Sequence, residues 1–317
     1  MKRRRSSLVR QGLSRALALG TGLTAIAAAL VLGGCGGGSA ATTSGGKVQV
    51  VAAENFWGNL ATQLGGDKVD VKSIITSPDT DPHEYEATPA NARAFASAQY
   101  VVYNGMGYDP WAGKVIDANP SKGRVILKVQ TLLGLKDDDN PHRWYSPDDV
   151  LRVVDQMTAD YKRIDPANAA YFDQQRTDFV TNGLKDYTAL VGLIKLKYAG
   201  TPVGATESIV SPLADALGLK MLTPYPFLQA ISEGTDPTAQ DKATFDGQIA
   251  SKQIAVLLFN TQNATPDVQR LVDAAKAKGI PVVDVTETLD PPTDSFQAWQ
   301  TRQLRSLADA LAKATGK

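Results

Sequence analysis

The sequence predicts an α/β fold of two lobes, each a mainly parallel β-sheet flanked by helices, joined by one long helix. Short β-branched runs alternate with helical stretches both before and after a long helical pattern. Apolar strands separated by helices favour parallel sheets that are covered on both faces. The predicted parts are a leader, a tether, a first lobe, a linking helix and a second lobe, at residues 1–34, 35–46, 47–165, 166–200 and 201–317.

The first lobe alternates four predicted strands with helices. The strands are at residues 48–53, 69–74, 99–104 and 124–129. Helices are predicted between them at residues 55–65, 89–97 and 110–118. Pro89 and Pro110 suit the first turn of a helix, where the missing N–H costs nothing.

The linking helix is predicted over residues 166–198, where aromatic and aliphatic residues recur at helical spacing. Gly183 and Gly192 leave open whether this helix is continuous. A second alternating series follows. Its strands are predicted at residues 202–206, 220–225, 254–260 and 281–286, with helices at 208–217, 238–251, 266–278 and 295–314.

The N-terminus has the features of an export signal of the lipoprotein type. A basic start precedes an uncharged apolar run of 17 residues at 16–32, and small residues lead to Cys35. Such a signal resembles the bacterial lipobox, which implies lipidation of Cys35 and anchoring on the outer face of the cytoplasmic membrane. The alternative is an uncleaved membrane anchor, because 17 apolar residues nearly span a bilayer.

The amino-acid composition argues against several classes of function. Cleavage before Cys35 leaves 27 basic and 33 acidic residues, a formal charge of −6, and no basic run. Such a chain is a poor candidate for nucleic-acid binding. Because Cys35 is the only cysteine, no disulfide can form within the chain, and cysteine-based copper(I) or iron–sulfur sites are excluded.

The only two histidines of the chain, His83 and His142, occur in similar phrases, DPHEYEATP and NPHRWYSPDD. Each follows a proline, and each is expected in a loop after a strand and before a helix. Loops at the carboxyl ends of parallel strands line the ligand crevice of open α/β sheets, so both imidazoles are expected to face one cleft. The alternative is that each imidazole only caps its loop by hydrogen bonding.

The segments DPHEYEATPAN, VVYNGMGYDPW and NPHRWYSPDD, followed by the helix at 166–198, resemble the cluster A-I metal-binding lipoproteins. These are the solute-binding subunits of ABC importers for zinc and manganese, and the resemblance covers the whole mature chain. It implies one metal ion held between the lobes by four side chains, one from each of four loops. It also implies a membrane permease and a cytoplasmic ATPase as partners.

The resemblance implies His83 and His142 as the ligands of the first lobe and Glu207 as the third ligand. Glu287 is the best match for the fourth, although the family has aspartate there, and Asp284 and Asp290 remain alternatives. Glutamate at 207 resembles the manganese-type members. Either glutamate could instead be a first-turn charge that complements a helix dipole.

Two imidazoles and two carboxylates form a mixed nitrogen and oxygen set that suits a borderline divalent ion, zinc or manganese, as transported cargo. Calcium loops of the D-x-D-x-D-G kind are absent, and the acidic run at 137–139 is interpreted as a solvated loop. No catalytic residue is predicted, and the chain is expected to be a monomer and not an enzyme.

Two competing hypotheses remain. A metal-dependent hydrolase would need an open coordination position, and the sequence lacks H-E-x-x-H and G-x-S-x-G. A binding protein for an organic solute could use the ten tyrosines and four tryptophans, but it leaves the matched histidines unexplained. The favoured hypothesis is a lipid-anchored metal-binding subunit whose linking helix limits the motion of the lobes.

Overall fold

The computed structural model describes residues 46–317, which form eight β-strands and twelve α-helices. The predicted leader, Cys35 and all but the last residue of the predicted tether lie outside these residues. In the described part of the chain, no helix combines the length and apolarity needed to cross a membrane.

The first half of the described chain contains four strands and the helices that alternate with them. The strands are β1 Val48–Glu54, β2 Val69–Ile75, β3 Tyr100–Tyr103 and β4 Val125–Lys128. The helices are α1 Asn55–Gly65, α2 Pro89–Ser97, α3 Pro110–Ala118, α4 Val129–Leu133 and α5 Pro147–Ile164. The predicted bounds of α1, α2 and α3 agree with the structure, whereas α4 was not predicted.

The second half repeats this alternation after the linking segment. Its helices are α6 Ala169–Asp178, α7 Lys185–Tyr198, α8 Ser211–Leu217, α9 Tyr225–Ser232, α10 Ala239–Ala250, α11 Pro266–Ala277 and α12 Phe296–Thr315. Its strands are β5 Pro202–Ala205, β6 Lys220–Met221, β7 Val256–Asn260 and β8 Val282–Val285. All eight predicted strands are present. β6 is shorter than predicted because Pro224, which cannot donate to a β-ladder, leads into α9.

Each lobe has one four-stranded sheet, and the two sheets have the same topology. The orders are β2-β1-β3-β4 and β6-β5-β7-β8, and every strand pair is parallel. The predicted fold class is confirmed. In both sheets the strand order reverses beside the first strand of the lobe, and this is where open α/β sheets bind ligands.

The linking segment is helical throughout most of residues 166–198, as predicted, but its hydrogen-bond pattern changes over residues 179–183. Residues Phe179–Gly183 form a π-helix, and the Leu184 N–H donates to the Phe179 carbonyl at 2.8 Å. Gly192 lies inside α7 without any interruption. Single π turns inside helices recur at positions where a helix must adjust its direction or packing.

One hydrophobic core extends through both lobes. It contains buried residues of β1 and β3 together with those of β5, β7 and β8. A smaller cluster lies on the other face of the first sheet, under α2 and α3. Because the lobes share one core, a large rotation of one lobe against the other would expose buried apolar surface, at roughly 25 cal/mol per Å².

Polar contacts from α1 also join the two lobes. Asn55, Asn59 and Gln63 lie one turn apart on α1 and face the segment that precedes and begins α12. Asn55 Oδ1 accepts the Leu289 N–H at 3.3 Å, and Asn59 Oδ1 accepts the Phe296 N–H at 2.8 Å. The loop that carries Glu287 is therefore attached to both lobes.

Candidate metal centre

The two histidine phrases are alike because both are turns closed by the side chain that precedes the proline. Asp81 Oδ1 accepts the backbone N–H of His83 at 2.8 Å, and Asn140 Oδ1 accepts that of His142 at 2.9 Å. Side chains of Asp and Asn commonly close such turns. The proline between them restricts φ, so each imidazole leaves its loop in a defined direction.

Both imidazoles have Nδ1 engaged by an oxygen of a neighbouring residue. His83 Nδ1 lies 3.2 Å from the Gly107 carbonyl oxygen, which can only accept, so Nδ1 carries the proton. Its Nε2 is buried and has no hydrogen-bond partner. His142 Nδ1 lies 2.9 Å from Asn140 Oδ1. This arrangement leaves an Nε2 lone pair on each ring, the form in which histidine binds metals.

Buried aromatic rings surround the two imidazoles. The Tyr108 ring lies 5.0 Å from the ring of His83 and 5.9 Å from that of His142, and the Trp144 ring lies 5.2 Å from His142. Burial lowers the pKa of His142 to about 4. His142 is therefore neutral near pH 7, as a metal ligand must be.

The loop after β3 shapes this part of the cleft. Gly105, Met106 and Gly107 all have positive φ, which is unusual for methionine and brings the Gly107 carbonyl to His83. The buried carboxylate of Asp109 accepts the N–H groups of Asn104 at 2.6 Å and Gly105 at 2.7 Å. These two bonds hold the loop in its left-handed conformation.

Asn104 supports the cleft wall. Its Oδ1 accepts from Trp57 Nε1 at 3.2 Å, and its Nδ2 donates to the Pro141 carbonyl at 2.9 Å. Trp111 lies elsewhere. It packs against Tyr85 in the cluster on the outer face of the first sheet, so it stabilises the base of the His83 loop from a distance.

Glu207 follows β5 and is 2% exposed. Its Oε1 accepts from Asn260 Nδ2 at 2.7 Å and its Oε2 from Asn263 Nδ2 at 2.8 Å. Burial, followed by the nearby Glu287 carboxylate, raises the pKa of Glu207, while His142 and the two amides act in the opposite direction. Glu207 directly precedes the short 3₁₀ turn Ser208–Val210, and its side chain makes no capping hydrogen bond there.

Glu287 follows β8, and its Oε1 lies 3.4 Å from His142 Nε2. Burial raises the pKa of its carboxyl group, with His83 acting in the opposite direction. Asp284 and Asp290, the two alternatives from the sequence, are both exposed. Asp284 lies within β8 itself, paired in the sheet with Phe259.

His83, Glu207 and Glu287 line one cavity of about 160 Å³ between the lobes. Asp79 and Asp81 also line it, and no Lys or Arg does so. Across residues 46–317, no three His, Cys, Asp or Glu side chains lie together closely enough to hold a metal ion as they stand. His142 Nε2 and Glu287 Oε1 both carry lone pairs and lie 3.4 Å apart. A cation between these two atoms would make their proximity favourable.

The sequence reasoning missed several groups at this site. Asn260, Gln262 and Asn263 bind both carboxylate loops, and Tyr108 separates the two histidines. The position of the phrase NTQN after a predicted strand was an available signal, because such loops line the crevice. The amide side chains themselves give no chemical signal, since asparagine and glutamine are common in ordinary loops.

Two parallel-sheet lobes with a polar cavity between their strand ends define the class of two-lobed substrate-binding proteins. The chain belongs to the family described as zinc-uptake complex component A, periplasmic (ZnuA), whose model matches residues 50–310.

The chain is also similar in sequence to proteins described as manganese transporter or manganese-binding lipoproteins. The chain is 27% identical over 322 residues to the manganese ABC transporter substrate-binding lipoprotein PsaA of Streptococcus pneumoniae, covering 93% of this chain and 99% of that protein. It is 24% identical over 282 residues to the manganese-binding lipoprotein MntA of Bacillus subtilis, covering 86% and 87%.

Solved structures share the fold at low sequence identity. The periplasmic zinc-binding protein TroA of Treponema pallidum superposes with a TM-score of 0.69 at 18% identity, over 84% of this chain and 99% of that one. The manganese-bound periplasmic metal-binding protein from Candidatus Liberibacter asiaticus superposes with a TM-score of 0.70 at 19% identity, with the same coverage.

Proposed function

We propose that this protein captures a divalent transition-metal ion, Mn²⁺ or Zn²⁺, between its two lobes and delivers it to the permease of an ABC importer. The observation that carries this proposal is the cavity lined by His83, Glu207 and Glu287, with His142 Nε2 3.4 Å from Glu287. Membership of a metal-uptake family supports the same conclusion.

The ligands in this proposal are His83, His142, Glu207 and Glu287. Two neutral imidazoles and two carboxylates would balance the +2 charge of the ion. Cation binding would also relieve the repulsion between two largely buried carboxylates, each of which has a raised pKa. A modest movement of side chains completes the set, because the shared core opposes a large rotation of the lobes.

The metal is cargo in this proposal and takes part in no reaction. A fourth protein ligand closes the coordination position that a metal-dependent hydrolase would leave for water. The described cavity is small and acidic, and this does not favour an organic solute, which would need a larger and mostly apolar pocket. We therefore assign a binding role and no enzymatic activity.

The rest of the proposal concerns location and partners. Lipidation of Cys35 would anchor the mature chain on the outer face of the cytoplasmic membrane, with the glycine-rich segment after it as a flexible tether. The protein would act there as a monomer. Its partners would be the permease and, through it, a cytoplasmic ATPase.

Metal content tests the proposal directly. The untagged mature protein, stripped with chelator and exposed to equimolar Mn²⁺ and Zn²⁺, is expected to retain about one ion per chain, measured by mass spectrometry. A His83→Ala variant should lose this ion, because it lacks the buried and unpartnered Nε2 of a residue that lines the cavity. Retention of the ion by His83→Ala, or no ion in the unaltered chain, would contradict the proposed site.

Thermal unfolding gives a second test. A ligand that binds only the folded state stabilises it by RT ln(1 + [L]/Kd), which is about 2.7 kcal/mol at 100 times Kd. The melting temperature of the stripped protein is therefore expected to rise with added Mn²⁺ or Zn²⁺ and to fall back with EDTA. Mg²⁺ at the same concentration is the control, because it keeps its water ligands and suits this nitrogen-containing set poorly.

A further inference from the structure

The last residue of β7 and the three residues after it, residues 260–263 (Asn-Thr-Gln-Asn), contact both carboxylate loops of the second lobe. We call these residues the amide segment. Asn260 Nδ2 donates to Glu207 Oε1 at 2.7 Å, and Asn263 Nδ2 donates to Glu207 Oε2 at 2.8 Å. Each carboxylate oxygen thus receives one amide hydrogen bond of nearly the same length.

The third amide of the segment holds the other loop. Gln262 Oε1 accepts the backbone N–H of Glu287 at 2.6 Å and that of Thr288 at 3.0 Å, while its Nε2 donates to Thr288 Oγ1 at 3.0 Å. These bonds fix the backbone from which the Glu287 side chain projects. One short segment therefore positions both proposed carboxylate ligands.

The amide segment is itself held in place. Asn260 is fully buried, its N–H donates to Thr206 Oγ1 at 3.2 Å, and its Oδ1 accepts the Gln262 N–H at 3.0 Å. Asn263 Nδ2 also donates to the Ile231 carbonyl at 3.2 Å. The segment is thus fixed to the end of β5, to α9 and to its own turn, and it can act as a rigid template.

We propose that the amide segment determines how Glu207 meets the metal and thereby shifts selectivity toward Mn²⁺; this inference rests on the proposed function. An ionised carboxylate has about four lone-pair sites, and the two amides occupy one on each oxygen. Rotation of the carboxylate would break one of these bonds. One lone pair therefore remains free on each oxygen of Glu207, which lines the cavity.

A carboxylate held in this way suits an ion that accepts many oxygen ligands. Mn²⁺ favours oxygen-rich, octahedral coordination, whereas Zn²⁺ is satisfied by four ligands in a tetrahedron. A Glu207 that offers both oxygens raises the coordination number available to Mn²⁺. Zn²⁺ needs only one of the two oxygens, so it gains less from the second amide.

The test compares Asn263→Ala with the unaltered chain by competitive titration of Mn²⁺ and Zn²⁺. The Kd for Mn²⁺ is expected to rise roughly 10- to 100-fold, the usual effect of removing an outer partner of a metal ligand. The Kd for Zn²⁺ should rise clearly less. The selectivity of the variant, measured as the ratio of the two Kd values, should therefore shift in favour of Zn²⁺. Gln262→Ala should weaken the binding of both ions, because Gln262 positions Glu287, which would be a ligand of Mn²⁺ and of Zn²⁺ alike.

A matched control and a spectroscopic measurement separate this role from a general loss of structure. Gln269→Ala removes an exposed amide of α11 that bonds Asp273 and does not line the cavity, and it should leave both constants unchanged. With Co²⁺ as probe, Asn263→Ala should show stronger visible absorption than the unaltered chain, as expected for a lower coordination number. The half-buried position of Asn263 favours normal folding of the variant.

Each outcome decides between the hypotheses. An unchanged ratio of the two constants in Asn263→Ala overturns the inference, whether both constants stay the same or rise equally. An unaltered chain that binds neither ion refutes the proposed function, and the inference fails with it. An unaltered chain that binds metal, together with an Asn263→Ala variant of the same selectivity, refutes the inference alone.

Discussion

Glu207→Ala is expected to weaken Mn²⁺ binding by more than the roughly 10- to 100-fold that loss of an outer partner costs. Glu207 is 2% exposed and amides hold both of its oxygens, so its truncation removes a charged ligand that is already positioned. Titration of the stripped protein measures the loss. Glu207→Gln keeps the shape of the side chain and removes its charge. If charge neutralisation dominates binding, this variant should bind Mn²⁺ nearly as weakly as Glu207→Ala does.

The two acids near the end of β8 supply a matched comparison for this prediction. Glu287→Ala should lose binding as Glu207→Ala does, because its carboxylate lies 3.4 Å from His142 Nε2. Asp284→Ala should bind metal as the unaltered chain does, since Asp284 is exposed within the strand. If Asp284→Ala lost the ion and Glu287→Ala kept it, the proposed fourth ligand would be wrong.

Trp144→Ala is expected to reduce the free energy of unfolding by about 3–5 kcal/mol, the usual cost of truncating a fully buried large aromatic residue. The Trp144 ring is fully buried, stacks on Phe56 at 3.9 Å and contacts the rings of Tyr108 and His142. The void would lie inside the core that both lobes share. Urea denaturation with EDTA present measures the effect without any contribution from bound metal.

Leu196→Ala is the control for this measurement. Leu196 is 87% exposed on α7, so its truncation should change the free energy of unfolding by less than about 0.5 kcal/mol. A loss below about 1 kcal/mol for Trp144→Ala, against the several expected for a buried aromatic residue, would mean that the cleft wall relaxes around the missing ring. The aromatic packing behind the histidines would then contribute little to the fold.

Much of the fold could be predicted because the relevant signals are local. β-Branched runs indicated the eight strands, and the prolines at the starts of α2 and α3 indicated the beginnings of those helices. The linking helix was predicted from its periodicity, but its π-helical turn was not. Gly183 in that turn lies against the Phe179 ring, a contact that helical spacing does not reveal.

The candidate site could be predicted only in part. His83 and His142 stood out because the chain has no other histidine and because their phrases match. Sequence alone could not show that Asp284 is exposed within β8 or that Glu287 lines the cavity, because both depend on the register of β8 in the sheet. The amide segment was missed, since its bonds to Glu207 and Glu287 join residues that are distant in the chain.

By itself the sequence determined the strands and most helices, the two-lobed α/β class and the pair of histidine turns. The signals for these features are local, such as the hydrogen bond that the His83 N–H donates to Asp81 Oδ1. Only the tertiary structure decided which acids reach the cavity, which amides hold them, and that the lobes share one core. Such contacts join residues as far apart as Asn55 and Leu289, and no local pattern encodes them.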